Sequence, residues 1–160
     1  MKSARLELDT TSVERSGAGL VIAGIRLHVD GVSFPSHIWT DFAVVVLLWW
    51  ADAAMSALNG DLGTHEIRFL EGPFLVRLTP RTGGAWHLAL VDNFLVPQIR
   101  FEGTVRPAPL LRSLVAASDV ILALCRDRGW ESRDSARLEL TISRLRPRVP
   151  TAWTEIDDRA

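Results

Sequence analysis

The sequence predicts an α+β fold, in which one antiparallel sheet of about five to seven strands is packed on one face by two helices. Three observations predict it. An unbroken apolar run, residues 42–51, lies between helix start and stop signals. Short segments of alternating apolar and polar residues, separated by turn residues, surround that run. A second apolar stripe, at helical spacing, follows Pro107. Strands grouped together and covered by helices are typical of this class.

The first helix is predicted at about residues 40–59. Thr40 and Asp41 are residue types that cap helix starts, and Asn59 with Gly60 favours the left-handed backbone that ends a helix. The apolar run is about half of the ~20 residues that a bilayer requires, so we do not expect a membrane span. Because both flanks of this helix are apolar, it needs two partners: the sheet, and a second helix, a second subunit or a ligand.

Alternation predicts seven strands, at about residues 4–9, 20–29, 32–34, 65–70, 74–78, 86–92 and 98–106. Residues 10–19 are polar and contain two glycines, so we expect a loop there. Asp30 and Gly31 form a strong two-residue hairpin signal. The last four strands, joined by short turns, are predicted to pair in order as a meander with one solvated face.

A second long helix is predicted at about residues 108–128, because proline is tolerated in a first helical turn and Gly129 is a stop signal. Residues 131–145 fit both a strand and a helix, and strong helix formers such as Ala136 and Arg137 favour the helix. We interpret residues 1–146 as a single domain. Residues 147–160 contain two prolines and are expected to form a poorly ordered tail.

Composition limits the kinds of partner and the cellular location that we expect for the chain. A net charge of −1 gives no footprint for nucleic acid or for an anionic membrane. Cys125 is the only cysteine, so no intrachain disulfide is expected, and the first residues lead into no signal-type apolar run. We therefore expect a soluble cytoplasmic protein. Lys2 is the only lysine among 18 basic residues, which suggests a GC-rich bacterial genome.

The residues that usually carry chemistry form no recognisable motif. The four histidines lack the spacing of zinc ligands, and Cys125 lies on the apolar stripe of its helix, where a thiol usually serves packing. Asp41 and Asp52 are eleven residues apart, about 16 Å along a helix, which is too far for an acid and base to share one bond. We predict no cofactor, no metal site and no catalytic residues.

Two sets of residues are candidates for binding. Arg68, Arg77, His87 and Arg100 are predicted to lie on the sheet face away from the helices. Charge pairs across neighbouring strands are the ordinary interpretation of such a face, and a surface for an acidic partner is the alternative. The second set is Trp39, Trp50 and Asp52. Adjacent residues on a helix point about 100° apart, so Trp49 and Trp50 cannot both face one partner. Core packing is the ordinary interpretation of the pair, and the alternative is that Trp49 packs on the sheet while Trp50, beside Asp52, lines a cleft or interface.

The predicted function is a non-catalytic protein-binding module of the immunity or antitoxin kind, whose partner is another protein or a second copy of the chain. Neither nucleic acid nor a membrane is an expected partner. The alternative is a small-ligand-binding protein, or an enzyme, with a pocket between the first helix and the sheet. Trp39, Trp50, Asp52 and His87 would form the walls of that pocket.

Overall fold

The computed structural model describes residues 1–150 and confirms the α+β class. Eight strands and three α-helices follow each other in the order β1 Lys2–Arg15, β2 Val21–Val29, β3 Val32–Phe34, β4 Thr40–Phe42, α1 Ala43–Leu58, β5 His65–Arg68, β6 Phe74–Pro80, β7 Trp86–Asp92, β8 Gln98–Arg106, α2 Pro107–Arg128 and α3 Arg133–Leu145. The two long helices therefore lie where the sequence predicts them. A single 3₁₀ turn, Arg146–Arg148, follows α3.

The strands form one mixed sheet in the order β3-β2-β1-β8-β7-β6-β5, and β4 pairs with β2 beside β3. β5 to β8 pair in sequence as the predicted meander. One pair departs from the antiparallel prediction, because β1 and β8 run parallel where Lys2 lies opposite Val105. Side-chain alternation has the same period of two in both arrangements, so the pattern alone does not reveal this direction.

The helices cover the inner face of the sheet. α2 packs on β1, α1 lies against β2 and β5, and both α2 and α3 pack on α1. The inward residues of the strands and the apolar faces of the helices form one continuous core. Val44, Leu47 and Leu48 are buried in it, so the second flank of α1 is covered within the chain and is not open to a second subunit.

The start of α1 differs from the prediction. Thr40–Phe42 is strand β4, paired with β2, and α1 begins at Ala43. The residue at the cap position, Phe42, offers no side-chain hydrogen bond. Asp41 is therefore not the helix cap: its carboxylate turns into the protein and binds other backbone N–H groups.

β1 is longer than predicted, since it continues to Arg15 through the expected loop. Its register with β2 shifts between Asp9 and Glu14, and most side chains there are exposed, so alternation is lost although the backbone stays extended. The Asp9 carboxylate accepts hydrogen bonds from the backbone and hydroxyl of Thr11. These bonds stabilise the ionised form and lower the pKa of Asp9.

Residues 133–145 are the helix α3. Ser132 and Ser135 cap its start reciprocally, and Leu138, Ile142 and Leu145 are buried at helical spacing. Leu140, which a strand would bury with Leu138 and Ile142, is 52% exposed.

The predicted tail begins with residues that contact the core. Arg148 donates to the Leu58 carbonyl and to Asn59 Oδ1, and Val149 packs on the core. The remainder of that tail, residues 151–160, lies outside the described residues.

By length and composition alone, α2 is long and apolar enough to cross a membrane, with a mean hydropathy of 1.7 over its most apolar window. It is the one such helix among residues 1–150. Its face from Leu110 to Cys125 is buried against β1, α1 and α3. The core helix of a soluble domain passes the same test, so this is weak evidence for a membrane span.

Candidate functional site

One end of the sheet exposes large apolar side chains. Because β5 to β8 form an antiparallel meander, the turns at residues 69–73 and 93–97 lie at the same end. The segment between β3 and β4, residues 35–39, joins them there through Trp39. We call this surface the apolar end and define it as Ile38, Leu70, Phe94, Leu95, Val96 and Ile99. The exposure of these side chains ranges from 41% at Leu70 to complete exposure at Leu95.

Edge-to-face aromatic contacts link the three segments beneath this surface. Phe74 is the centre, with ring centroids 5.1 Å from Trp39, 5.8 Å from Phe34 and 6.0 Å from Phe94. Phe34 also lies 5.8 Å from Phe69. Each such pair contributes about 0.5–1.5 kcal/mol beyond the apolar area that it buries. These aromatic contacts therefore hold the segments that carry the exposed residues in fixed positions.

Asp41 ties two of these segments together. Its carboxylate is completely buried and accepts hydrogen bonds from the Trp39 indole N–H at 3.0 Å and from the Phe42 N–H at 2.8 Å. Across the fold it accepts from the backbone N–H groups of Leu70 at 2.9 Å and Glu71 at 3.2 Å. A buried carboxylate is costly unless it is hydrogen-bonded in this way. Asp41 therefore fixes the turn after β5 against the segment before β4.

Arg100 also belongs to the apolar end, and this corrects its predicted position. A bulge in the β7–β8 register leaves Arg100 without an opposite residue. Its guanidinium donates to the Pro35 carbonyl at 2.6 Å, lies 5.6 Å from the centre of the Phe34 ring and is 3.8 Å from Asp92 Oδ1. Arg100 is thus separated from the three other residues of the predicted charged face.

Those three residues, Arg68, Arg77 and His87, lie on the outer face of the sheet, away from the helices. Both arginines reach the Glu66 carboxylate, Arg68 at 3.1 Å and Arg77 at 3.2 Å. His87 Nε2 is 3.5 Å from Glu102 Oε1. The charges on this face therefore pair with one another across neighbouring strands.

The outer face also contains an apolar part. Leu75, Ala89 and Val91 are buried there in a cluster separate from the main core. Val91 lies opposite Ile99 in the β7–β8 ladder, so this cluster adjoins the apolar end. The apolar surface consequently extends from the end of the sheet onto its outer face.

A groove of about 500 Å³ lies between α1 and β5, close to where the sequence predicts a pocket. It is lined by Trp49, Asp52, Ala53 and Ser56 of α1 and by Thr64, His65, Glu66 and Arg68 at β5. Of the four predicted wall residues only Asp52 lines it. Trp39 lies at the apolar end, His87 on the outer face and Trp50 in the core.

The roles predicted for the two adjacent tryptophans are reversed. Trp50 is completely buried, and its indole N–H has no hydrogen-bond partner among residues 1–150. Trp49 is half-buried and lines the groove. The reason is that α2 and α3 also cover α1, which leaves only the stripe through Trp49, Asp52 and Ser56 facing outward.

A further group of polar side chains lies on the outer face of β1–β3. The Glu7 carboxylate contacts the Arg26 guanidinium and lies 2.7 Å from His28 Nε2, while Ser33 Oγ lies 2.8 Å from His28 Nδ1. Partial burial raises the pKa of Glu7, but the hydrogen bond from Arg26 and the charges of Arg26 and His28 outweigh it, so the net shift is downward.

Ser33, His28 and Glu7 contact one another in the same order as the residues of a catalytic serine–histidine–carboxylate triad, but their geometry does not match that of a triad. The 2.7 Å contact between His28 and Glu7 lacks hydrogen-bond alignment. The adjacent surface depression is lined by His28 and Arg5 but not by Ser33, so a substrate bound there would not meet the hydroxyl. We interpret the group as a cross-strand polar network.

Within the described part of the chain, residues 1–150, no three His, Cys, Asp or Glu side chains gather as a metal site. Cys125 is buried, and burial raises the pKa of its thiol, with the Glu131 charge acting in the same direction. Such a thiol is a poor nucleophile. Comparison with protein-family models, curated proteins and solved structures gave no significant match to the chain.

Sequence reasoning missed the apolar end because five of its six residues lie in connecting segments without periodicity. One signal was present: Phe94, Leu95 and Val96 are three consecutive apolar residues in a predicted break between strands. An apolar run in a turn is unusual unless it is buried or functional. The contribution of Ile38 and Leu70, from distant parts of the sequence, had no such signal.

Proposed function

We propose that the protein is a non-catalytic protein-binding module that contacts its partner through the apolar end. The observation that carries this proposal is the grouping of six exposed large apolar side chains, five on the three connecting segments and Ile99 at the start of β8. Scattered exposed apolar residues are ordinary, but a contiguous patch of them is typical of an interaction site.

The energetics favour recognition by a folded protein surface. Full burial of a Leu, Val or Phe side chain contributes about 1.5–3 kcal/mol, and Leu95 and Val96 are the most exposed members of the turn at residues 93–97. Asp41 and the aromatic contacts hold the segments in place before a partner arrives. Less conformational entropy is then lost on binding.

The proposed class of partner is a protein with a complementary apolar surface that this module masks, as immunity and antitoxin proteins mask theirs. The chemistry supports masking rather than catalysis, because the thiol of Cys125 is buried and the six residues that define the apolar end are all apolar. The Arg100 guanidinium already donates a hydrogen bond to the Pro35 carbonyl, in the segment that carries Ile38.

The test begins with a photo-crosslinking amino acid at position 95 in the native host, with position 140 on α3 as the comparison. A protein that crosslinks only from position 95 is purified and titrated by calorimetry against the double variant Leu95→Asp/Val96→Asp. We expect at least a hundredfold weaker binding, because two carboxylates would enter an apolar interface.

The matched control is Val120→Asp/Leu140→Asp. It introduces the same charges at positions that are 50% and 52% exposed on α2 and α3. This control should bind the purified partner like the unmodified protein. Equal binding by the Leu95/Val96 variant would contradict the proposal.

A small-ligand-binding function is the second candidate, because a groove lies between α1 and the sheet. Two observations make it the weaker one. The groove is open to solvent, and one of its acidic side chains, Glu66, already contacts Arg68 at 3.1 Å. Small-molecule sites usually enclose most of the ligand.

A further inference from the structure

The groove beside α1 follows the edge of a strand. Thr64, His65 and Glu66 all line it, and they are consecutive in the sequence. Successive side chains of a strand point to opposite faces of the sheet. His65 and Glu66 belong to β5, so a groove that both of them line runs along the strand edge, where side chains from both faces meet it.

That edge is free within residues 1–150. β5 is the last strand in the sheet order and pairs there with β6 alone, through residues 65–68. An unpaired strand edge presents a row of backbone N–H and C=O groups. The opposite wall of the groove is the outward stripe of α1, with Trp49, Asp52 and Ser56 on one helical face.

The two walls have matching lengths. The four residues of β5 extend over about 13 Å, and the seven-residue interval from Trp49 to Ser56 extends over about 10 Å. Three to four residues of an extended chain would occupy the same length. A helix and a free strand edge that face each other over this distance form a slot for one additional strand.

We propose that this groove binds an extended peptide segment of a partner protein, which adds to the sheet as a strand next to β5 and carries a basic side chain toward Asp52. Backbone hydrogen bonds to β5 would supply affinity, and the side chains of α1 would select the sequence. This site is separate from the apolar end, and the inference does not depend on the function proposed for that surface.

Charge and aromatic character identify the basic side chain. Glu66 contacts both Arg68 and Arg77, so two cations already compensate its charge. Within residues 1–150, Asp52 has one ion pair, with Arg137 at 3.5 Å. Both side chains are about half exposed, which makes this a weak ion pair that an incoming cation can replace. Trp49, one turn away, offers an aromatic ring to the same cation.

The test uses the full-length protein and a fluorescein-labelled peptide, Gly-Val-Arg-Val-Arg-Val-Gly, in a polarisation titration. We expect saturable binding. Changing both arginines of the peptide to glutamate should weaken it at least tenfold, and N-methylation of alternate backbone amides should do the same, because the added strand then loses its donors. Equal binding of the N-methylated peptide, or no saturable binding at millimolar concentration, would overturn the proposal.

Variants and NMR locate the site. Asp52→Asn should weaken binding of the arginine peptide about tenfold, whereas Asp127→Asn, an exposed acid on α2, should not change it. Backbone amide signals of residues 64–68 should shift on titration. Shifts confined to residues 93–99 instead would overturn the assignment to β5.

The variant Leu95→Asp/Val96→Asp separates this inference from the proposed function. It should bind the peptide unchanged while losing the partner of the apolar end. Loss of peptide binding in that variant, with the fold intact by circular dichroism, would place the peptide at the apolar end and overturn the proposal.

Discussion

The outer face of the sheet and the apolar end differ in whether their exposed side chains have a favourable partner within the chain. On the outer face, Arg68 and Arg77 both bind Glu66, so the charges are compensated inside the chain. At the apolar end, Leu95 and Val96 extend into solvent. Charged groups are also well solvated by water, whereas exposed apolar groups are not. The apolar end is therefore the surface whose side chains gain most from contact with a partner.

The two regions also differ in their support. The outer face is presented by regular strands, and its geometry follows from the ladder. The apolar end is presented by connecting segments, which need specific contacts to hold a shape. Asp41 and the contacts of Phe74 provide them. Substitutions should therefore have large effects beneath the apolar end and small effects on the outer face.

The largest effect is expected for Asp41→Ala. Removal of the carboxylate leaves the backbone N–H groups of Leu70 and Glu71 and the Trp39 indole without an acceptor, which should lower the free energy of unfolding by about 3 kcal/mol. Urea denaturation measures this. Asp52→Ala, at a half-exposed site, is the control and should change stability by about 0.5 kcal/mol or less. A loss below about 1 kcal/mol for Asp41→Ala would contradict the role of Asp41 as a support.

A smaller effect is expected for Arg77→Ala on the outer face. The Arg77–Glu66 pair is about 40% exposed on both sides, so its removal should cost about 0.2–1 kcal/mol. A double-mutant cycle with Glu66→Ala isolates the pair. A coupling above about 2 kcal/mol would mean that the outer face contributes to the fold as strongly as the apolar end, and the contrast between the two regions would fail.

The smallest effect concerns pH and the Glu7 carboxylate, on the outer face of β1. Its pKa in the folded protein lies below the ordinary value of 4.5, so the ionised group stabilises the fold at pH above that value. The stabilisation should disappear as the pH falls through the folded pKa.

Urea unfolding of Glu7→Gln tests this. The variant should be slightly less stable than the unmodified protein at pH 7, and the difference should shrink in acid. Glu14→Gln, at an exposed position further along β1, is the comparison. A stability difference for Glu7→Gln that stays constant from pH 7 to strong acid would show that the carboxylate charge is not its cause.

Periodicity predicted the regular elements well, for a physical reason. The strands β5 to β8 bury one side of the sheet against helices, so inward residues such as Val76 and Leu88 alternate with outward residues, among them Arg77 and His87. The apolar stripe of α2 from Leu111 to Cys125 predicts the helix for the same reason, because one side of α2 is buried. In the second half of β1 most side chains are polar and only partly buried or exposed, so the pattern has no alternation and predicts a loop.

Pairing between distant segments explains the errors at single residues. Asp41 is a residue type that often caps a helix, and it lies just before α1. Its carboxylate points inward because the backbone N–H groups of Leu70 and Glu71 donate hydrogen bonds to it. Arg100 follows the alternation of β8, and only the bulge against β7 removes it from the charged face. Trp50 is buried and Trp49 lines the groove, opposite to the prediction, because α2 and α3 cover the other sides of α1.

The sequence by itself determined that this chain is an α+β domain with a buried apolar helix and a four-strand meander, because local alternation and helical spacing are direct consequences of burial on one side. The tertiary structure alone decided where the apolar end and the groove beside β5 lie. Both are made by segments far apart in the chain: Ile38, Leu70 and Leu95 in the first, Asp52 and His65 in the second. Such proximity depends on the packing of the whole fold and leaves no periodic pattern in any one segment.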